Sequence, residues 1–223
     1  MMRLLPWLLW LALCLVIVAT YTWVPPMKGF IGLSDRIFYF HVPMALSAFV
    51  AFITAAVYSL RYLTKGRQPA DDHAASTAIE IGLVFCLLAT VTGAMWARTM
   101  WGAYWNWDPR QTSITFALLF YAAYITLRGA ILDGETRRRL SAAYATLGLV
   151  VAPFLFFVAP RVVESLHPQP LINAQGRPQI DSPMLMVFLG SMTCFVIFFF
   201  WIHSLARRVR ALEETALARI AEV

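Results

Sequence analysis

Charge is scarce in this sequence. Asp, Glu, Lys and Arg make up 13% of its 223 residues, against roughly a quarter of an ordinary globular chain. Apolar types reach 60%, and the mean hydropathy is +0.67. Soluble-enzyme, disordered and collagen-like classes are excluded on those figures. C-x-x-C is missing too, which argues against thiol–disulfide exchange and zinc ribbons, and without C-x-x-C-H the chain carries no covalent c-type haem of its own. Its three cysteines, Cys14, Cys86 and Cys194, fall in apolar runs and read as packing residues. There is no internal repeat and no low-complexity segment. The formal charge of +6 does not imply nucleic acid, because the basic residues are scattered among connections.

The apolar stock is arranged in long runs. Candidate spans are 4–24, 37–62, 78–96, 114–132, 140–158 and 184–202, each long enough to cross about 30 Å of hydrocarbon as a helix. Unpaired backbone is costly in lipid, so the expected fold is all-α: one polytopic domain of six transmembrane helices. The first run follows Arg3 as a signal peptide would. It is longer than a typical signal core and lacks a small-x-small cleavage site at Val18-Ala19-Thr20-Tyr21, so it reads as a retained anchor. With both termini cytoplasmic, twelve basic residues fall inside and six (Lys28, Arg36, Arg98, Arg110, Arg161, Arg177) outside, as the positive-inside rule requires. The tail 207–223 reads as a continuation of the sixth helix into the cytoplasm.

The inner connections are short and charged, whereas the outer ones hold the unusual residues. His73, beside Asp71 and Asp72, reads as a solvated inner residue, and His203 as a cation suiting the end of the last helix. His41 and His167 belong instead to the outer face, one on each side in sequence of a tryptophan-rich loop at 97–113. Four of the eight tryptophans lie between Trp96 and Trp107. An interfacial aromatic belt accounts for Trp23 and Trp201 but not for that density. As a surface helix, the segment would place Trp101, Tyr104, Trp105 and Asp108 on one face; as an extended chain, Trp101, Trp105 and Trp107. Either makes a shelf for a flat conjugated ligand. Asp108-Pro109 also has the form of an N-cap and first helical residue. Arg110, at a positive helix end, is better placed to meet an anion than to help the helix. With Arg36, Arg98 and Arg161 it makes an outer set of guanidinium groups suited to carboxylates. Two imidazoles, an aromatic shelf and carboxylate-binding arginines together match the needs of haem.

The run Trp-Gly-x-Tyr-Trp-x-Trp-Asp-Pro-Arg-x-Thr at 101–112 resembles the tryptophan-rich WWD signature of the haem-handling membrane proteins of cytochrome c biogenesis. Over essentially its whole length the chain is similar to the haem exporter protein C type, CcmC. Larger relatives, CcmF and CcsA, share the motif with more spans. The sequence departs from the pattern at Tyr104, where many members have Trp, and at Pro109, where others have Ala; both departures occur in CcsA-type relatives. The resemblance implies that His41 and His167 are axial ligands of a transient, non-covalent haem b. It further implies that Trp101, Tyr104, Trp105, Trp107 and Asp108 form the haem-facing loop and that Arg36 and Arg110 assist. The implied role is not enzymatic: delivery of haem at the outer face of the bacterial inner membrane to the chaperone CcmE. The implied partners are the ABC transporter subunits CcmA and CcmB and the small subunit CcmD, with ATP hydrolysis left to the transporter.

Other readings carry different marks. An electron-carrying cytochrome b would need histidines deep within spans, and none is present. A haem-independent transport permease subunit would need intramembrane charge, for which Glu80 is the nearest candidate. The haem-delivery component of a CcsA-type cytochrome c synthase would share the loop. An enzyme using Asp108 and Glu164 would lack a nucleophile.

Overall fold

The computed structural model describes residues 4–167 and 180–221. Arg3 and Arg177, two of the basic residues that bear on topology, lie outside the described residues. Among the described residues seven α-helices follow one another: α1 (Leu5–Thr22), α2 (Phe38–Thr64), α3 (Pro69–Trp101), α4 (Pro109–Ala130), α5 (Gly134–Thr146), α6 (Gly148–Pro153) and α7 (Ser182–Ala221). A 3-10 turn, Ser34–Ile37, leads into α2, while a π-helical stretch, Phe154–Val158, and a second 3-10 turn, Ala159–Arg161, prolong α6. No strand occurs among the described residues. Six helical stretches are long and apolar enough to cross a membrane, with Gly134–Arg161 acting as one of them. The chain is an all-α, multi-pass membrane protein.

α2 is the central helix, packed chiefly on α3 and also on α5, α6 and α7. Its buried face is built from small residues, Ala48, Ala51, Ala55 and Ala56, around Phe52. Small side chains let helices approach closely where no hydrophobic force separates protein from lipid. Phe52 fills the gap: it stacks on Tyr121 of α4, with centroids 3.5 Å apart and planes 7° from parallel. It also lies so near Gly82 of α3 that a Cβ there would sit 2.7 Å from its ring. α1 packs against α7, burying Leu9 and Val16 but leaving Trp7, Leu8, Trp10, Leu11 and Leu15 outward, as a lipid-facing helix should.

Two helix ends shape the face that carries His41 and His167. α3 runs five residues beyond Trp96 and stops at Gly102, whose φ of +78° is the left-handed cap that glycine adopts without strain. The non-helical link to α4 is therefore only residues 102–108, shorter than the expected 97–113. α4 opens on Asp108, whose side chain accepts from the backbone N–H of Arg110, with Pro109 in the first turn, as the sequence suggested.

At the opposite face, ion pairs tie the connections together. Arg128 grips Asp72 with two hydrogen bonds of 2.7 and 2.6 Å. Glu214 on α7 meets both Arg138, at 2.9 Å, and His73, at 3.1 Å. His73 is thus a largely buried partner of Glu214 in the first turns of α3 rather than a solvated residue. His203 also departs from expectation. α7 continues to Ala221, so His203 is not at a helix end; it is buried, bonded through Nε2 to the carbonyl of Ala74 at 2.8 Å and stacked on Phe199.

Candidate functional site

His41 and His167 are brought to the same end of the bundle by different means. His41 sits in the first turn of α2, facing α3. Its Nδ1 lies 3.0 Å from Thr92 Oγ1. That hydroxyl donates its single hydrogen to the Leu88 carbonyl at 2.8 Å, so toward His41 it can only accept. Nδ1 therefore carries the proton, and Nε2 keeps its lone pair. Gly93 leaves the room: a Cβ there would stand 2.9 Å from His41 Cε1.

His167 lies in the connection after the last 3-10 turn, where no helix orients it. Asp108 does so instead. Its Oδ1 is 2.7 Å from His167 Nδ1, while Oδ2 accepts from Ser165 Oγ at 2.8 Å and from the Leu166 backbone N–H at 2.7 Å. With the Arg110 N–H at 2.9 Å on Oδ1, the carboxylate is surrounded by donors. Burial would raise the Asp108 pKa, but these hydrogen bonds and His167 outweigh it and hold the group below the usual carboxylate range. An ionised carboxylate accepts only, so His167 is also protonated at Nδ1. Burial pushes the His167 imidazole below its ordinary value; Asp108 opposes that shift and Arg110 adds to it. At neutral pH both rings present the same tautomer. The contacts to Thr92 and Asp108 thus engage the Nδ1 of each ring. Nε2 of a ring fixed through Nδ1–H is the usual metal-binding form of histidine.

Aromatic rings frame His167. Trp101 meets it edge-on, with centroids 4.9 Å apart, and Trp96 lies at 5.9 Å. Trp96 in turn contacts Trp101, at 5.0 Å, and Phe30, at 6.1 Å, and its buried Nε1–H has no partner. Arg36 in the turn before α2 is 5% exposed and is ion-paired with Asp35 Oδ1 at 3.6 Å, yet its Nε and Nη1 make no hydrogen bond. Asp35 offsets the charge, but buried donors without a hydrogen bond remain costly until an acceptor reaches them.

The expected single-faced shelf is not formed. Gly102 ends the helix, and Trp107 has a φ of +54°, which turns the chain again. Trp105 and Trp107 instead meet each other edge-on at 5.8 Å. Trp107 and Tyr104 are largely exposed, with Tyr104 lying under the Arg98 guanidinium at 5.8 Å. Arg98 also bonds the Gly102 carbonyl, and Arg161 that of Phe157, so both serve helix ends. Arg110 remains within electrostatic reach of Asp108, Arg161 and both histidines. Asp108 is 4% exposed and acts behind His167 rather than as part of an open surface. Thr92, Gly93, Trp96 and Ser165 were not singled out from sequence as members of the site. Thr92-Gly93-x-x-Trp96 gave one signal, a small and a polar residue one turn before a tryptophan.

The family model described as heme exporter protein C matches residues 1–221. The chain belongs to the heme exporter protein C family. It is 30% identical to the heme exporter protein C of Bradyrhizobium diazoefficiens, over 98% of this chain and 86% of that one. With the protein of the same name from Rhodobacter capsulatus it shares 31% identity, over 95% and 91% respectively. A ccmC-like mitochondrial cytochrome c biosynthesis protein of Marchantia polymorpha is 31% identical over 80% of this chain and 73% of its own length. The family match to this heme exporter protein C family member thus spans α3, the 102–108 link and the segments that carry the two histidines.

Proposed function

We propose that this protein holds one haem at the face bearing His41 and His167 and passes it on during cytochrome c maturation. The observation that carries the reading is the matched state of the two imidazoles: each is fixed through Nδ1, to Thr92 or to Asp108, and each keeps Nε2 for a metal. Haem is cargo here. Its iron would take the two Nε2 lone pairs, and its conjugated ring would rest among Trp96, Trp101 and Trp105. The idle donors of Arg36 suit one propionate, and Arg110 suits the other. Family membership supports haem as the ligand. Twelve basic residues against six support the orientation with this face outside, which in a bacterium is the periplasmic side of the inner membrane.

The recipient in this proposal is a haem chaperone of the CcmE kind, with CcmA, CcmB and CcmD as assembly partners. The haem is b-type and is released, so its two bonds to the protein must be reversible; nitrogen ligands with no covalent link meet that demand. Exposed Tyr104 and Trp107, which do not pack on the histidines, are the natural surface for the recipient to approach.

The test is spectroscopic. Protein purified in mild detergent is expected to show a low-spin bis-histidine spectrum, oxidised and reduced. His41→Ala and His167→Ala should each alter it, and the double variant should abolish it. Unchanged spectra in both single variants would overturn the ligand assignment.

A further inference from the structure

At the end of the bundle remote from the histidines lies a surface cavity of about 280 Å³. Four helices line it: Glu80 from α3, Ile125, Arg128 and Gly129 from α4, Arg137 from α5, and Arg210 from α7. Three guanidinium groups face one carboxylate, leaving two net positive charges at its wall. Asp72, behind Arg128, takes back one of them. Arg210 is paired with Glu80. Arg137 is not so committed: its Nε is buried and has no hydrogen-bond partner.

The position of the cavity says what kind of anion it meets. Arg128 and Gly129 belong to the last turn of a membrane-crossing helix, and Ile125 lies one turn deeper. Leu132, in the adjoining link, is 95% exposed, and Leu140 on α5 also faces outward. Those leucines would be badly placed in water and well placed against acyl chains. A basic pocket at the polar boundary, with an apolar flank beside it, fits a phospholipid whose phosphate enters between arginines.

We infer that this cavity is a phosphate-binding site for the headgroup of an anionic phospholipid, held by Arg137 with Arg128 and Arg210. Its job is structural: the lipid joins α3, α4, α5 and α7 where their own charges leave one donor unmet. Nothing in it depends on haem.

Native mass spectrometry of the detergent-solubilised full chain, titrated with phosphatidylglycerol, tests the site. Saturable binding is expected, on the order of fivefold weaker in Arg137→Gln, and unchanged in Arg139→Gln, an exposed neighbour. Gly129→Leu supplies a variant with no change of charge. A Cβ at Gly129 meets no atom within 4 Å, so the side chain can fill the cavity, and binding should again fall. Phosphatidylcholine of the same chain composition should bind more weakly than phosphatidylglycerol. Inorganic phosphate that competes at millimolar concentration would support the phosphate site but assign it to a soluble ligand. Equal affinity for both lipids, or undiminished binding in both Arg137→Gln and Gly129→Leu, would overturn the inference.

Discussion

Replacing Asp108 by Asn tests the most specific geometric claim in the site. The two side chains have the same shape, and both are good N-caps, so the start of α4 should persist. Four donors converge on the carboxylate: His167 Nδ1–H and the Arg110 N–H on one oxygen, Ser165 O–H and the Leu166 N–H on the other. An amide has one oxygen to give. Turned toward Leu166, it sets its NH2 against His167, which can accept only by moving its proton to Nε2, the atom meant for the metal. Turned toward His167, it leaves the Leu166 N–H facing another donor, at a cost of about 1–3 kcal/mol. Either way the ring is less well held. Loss of such a supporting partner weakens metal affinity by roughly 10–100-fold. Haem titration followed by absorption, with circular dichroism to verify helix content, measures this. Ser165→Ala, which removes one donor to Asp108 and the acceptor of the His167 N–H but leaves the carboxylate on His167 Nδ1, should weaken binding less. Wild-type affinity and spectrum in Asp108→Asn would refute the reasoning.

Other outcomes rest on the same geometry. The folded His167 has its pKa depressed, so the neutral ring is fully available above its ordinary value near 6.5 and is lost as pH falls through the lower, folded value. Haem retention should therefore be flat from about pH 8 to 6.5 and fall below that, as an absorption titration will show. Gly93→Ala should strengthen α3 by about 1 kcal/mol in propensity yet push on the His41 ring, lowering haem affinity while leaving the helical signal intact. Arg128→Met strands Asp72, a 3% exposed carboxylate, and should cost about 3–5 kcal/mol by thermal unfolding, with no change in the haem spectrum. His203→Ala should likewise lower stability, by about 1 kcal/mol for the lost hydrogen bond together with the lost stacking on Phe199, and leave haem binding alone.

Much of this arrangement was legible in the residues. Six apolar runs dictate six crossings, because lipid offers no alternative partner for the backbone. The cap at Asp108-Pro109 is a local matter, and the proximity of His41 and His167 follows from topology once the crossings are counted. What could not be read is whatever depends on one helix face meeting another. Thr92 and Gly93 matter only because α3 lies against the first turn of α2. Asp108 supports His167 only because residues 162–167 fold back over the start of α4. His73 and His203 looked exposed or terminal from their neighbours in sequence, but the forty-residue length of α7 gave one a carboxylate and enclosed the other. The tryptophan segment defeated both periodicities considered for it, since positive φ at Gly102 and Trp107 belongs to neither.

The π-helical stretch Phe154–Val158 has a consequence for how this chain tolerates change in length. A turn with one residue more than an α-turn rotates everything beyond it by roughly 100° about the helix axis. The stretch packs against α4 together with the 3-10 turn after it, and from there the chain runs to Ser165 and His167. Removing one residue from 154–158 would restore an ordinary helix, a locally favourable event, and swing the following segment a quarter-turn or so away from Asp108. The surplus residue thus works as a phase setting, and a deletion that improves the helix would misaim the histidine.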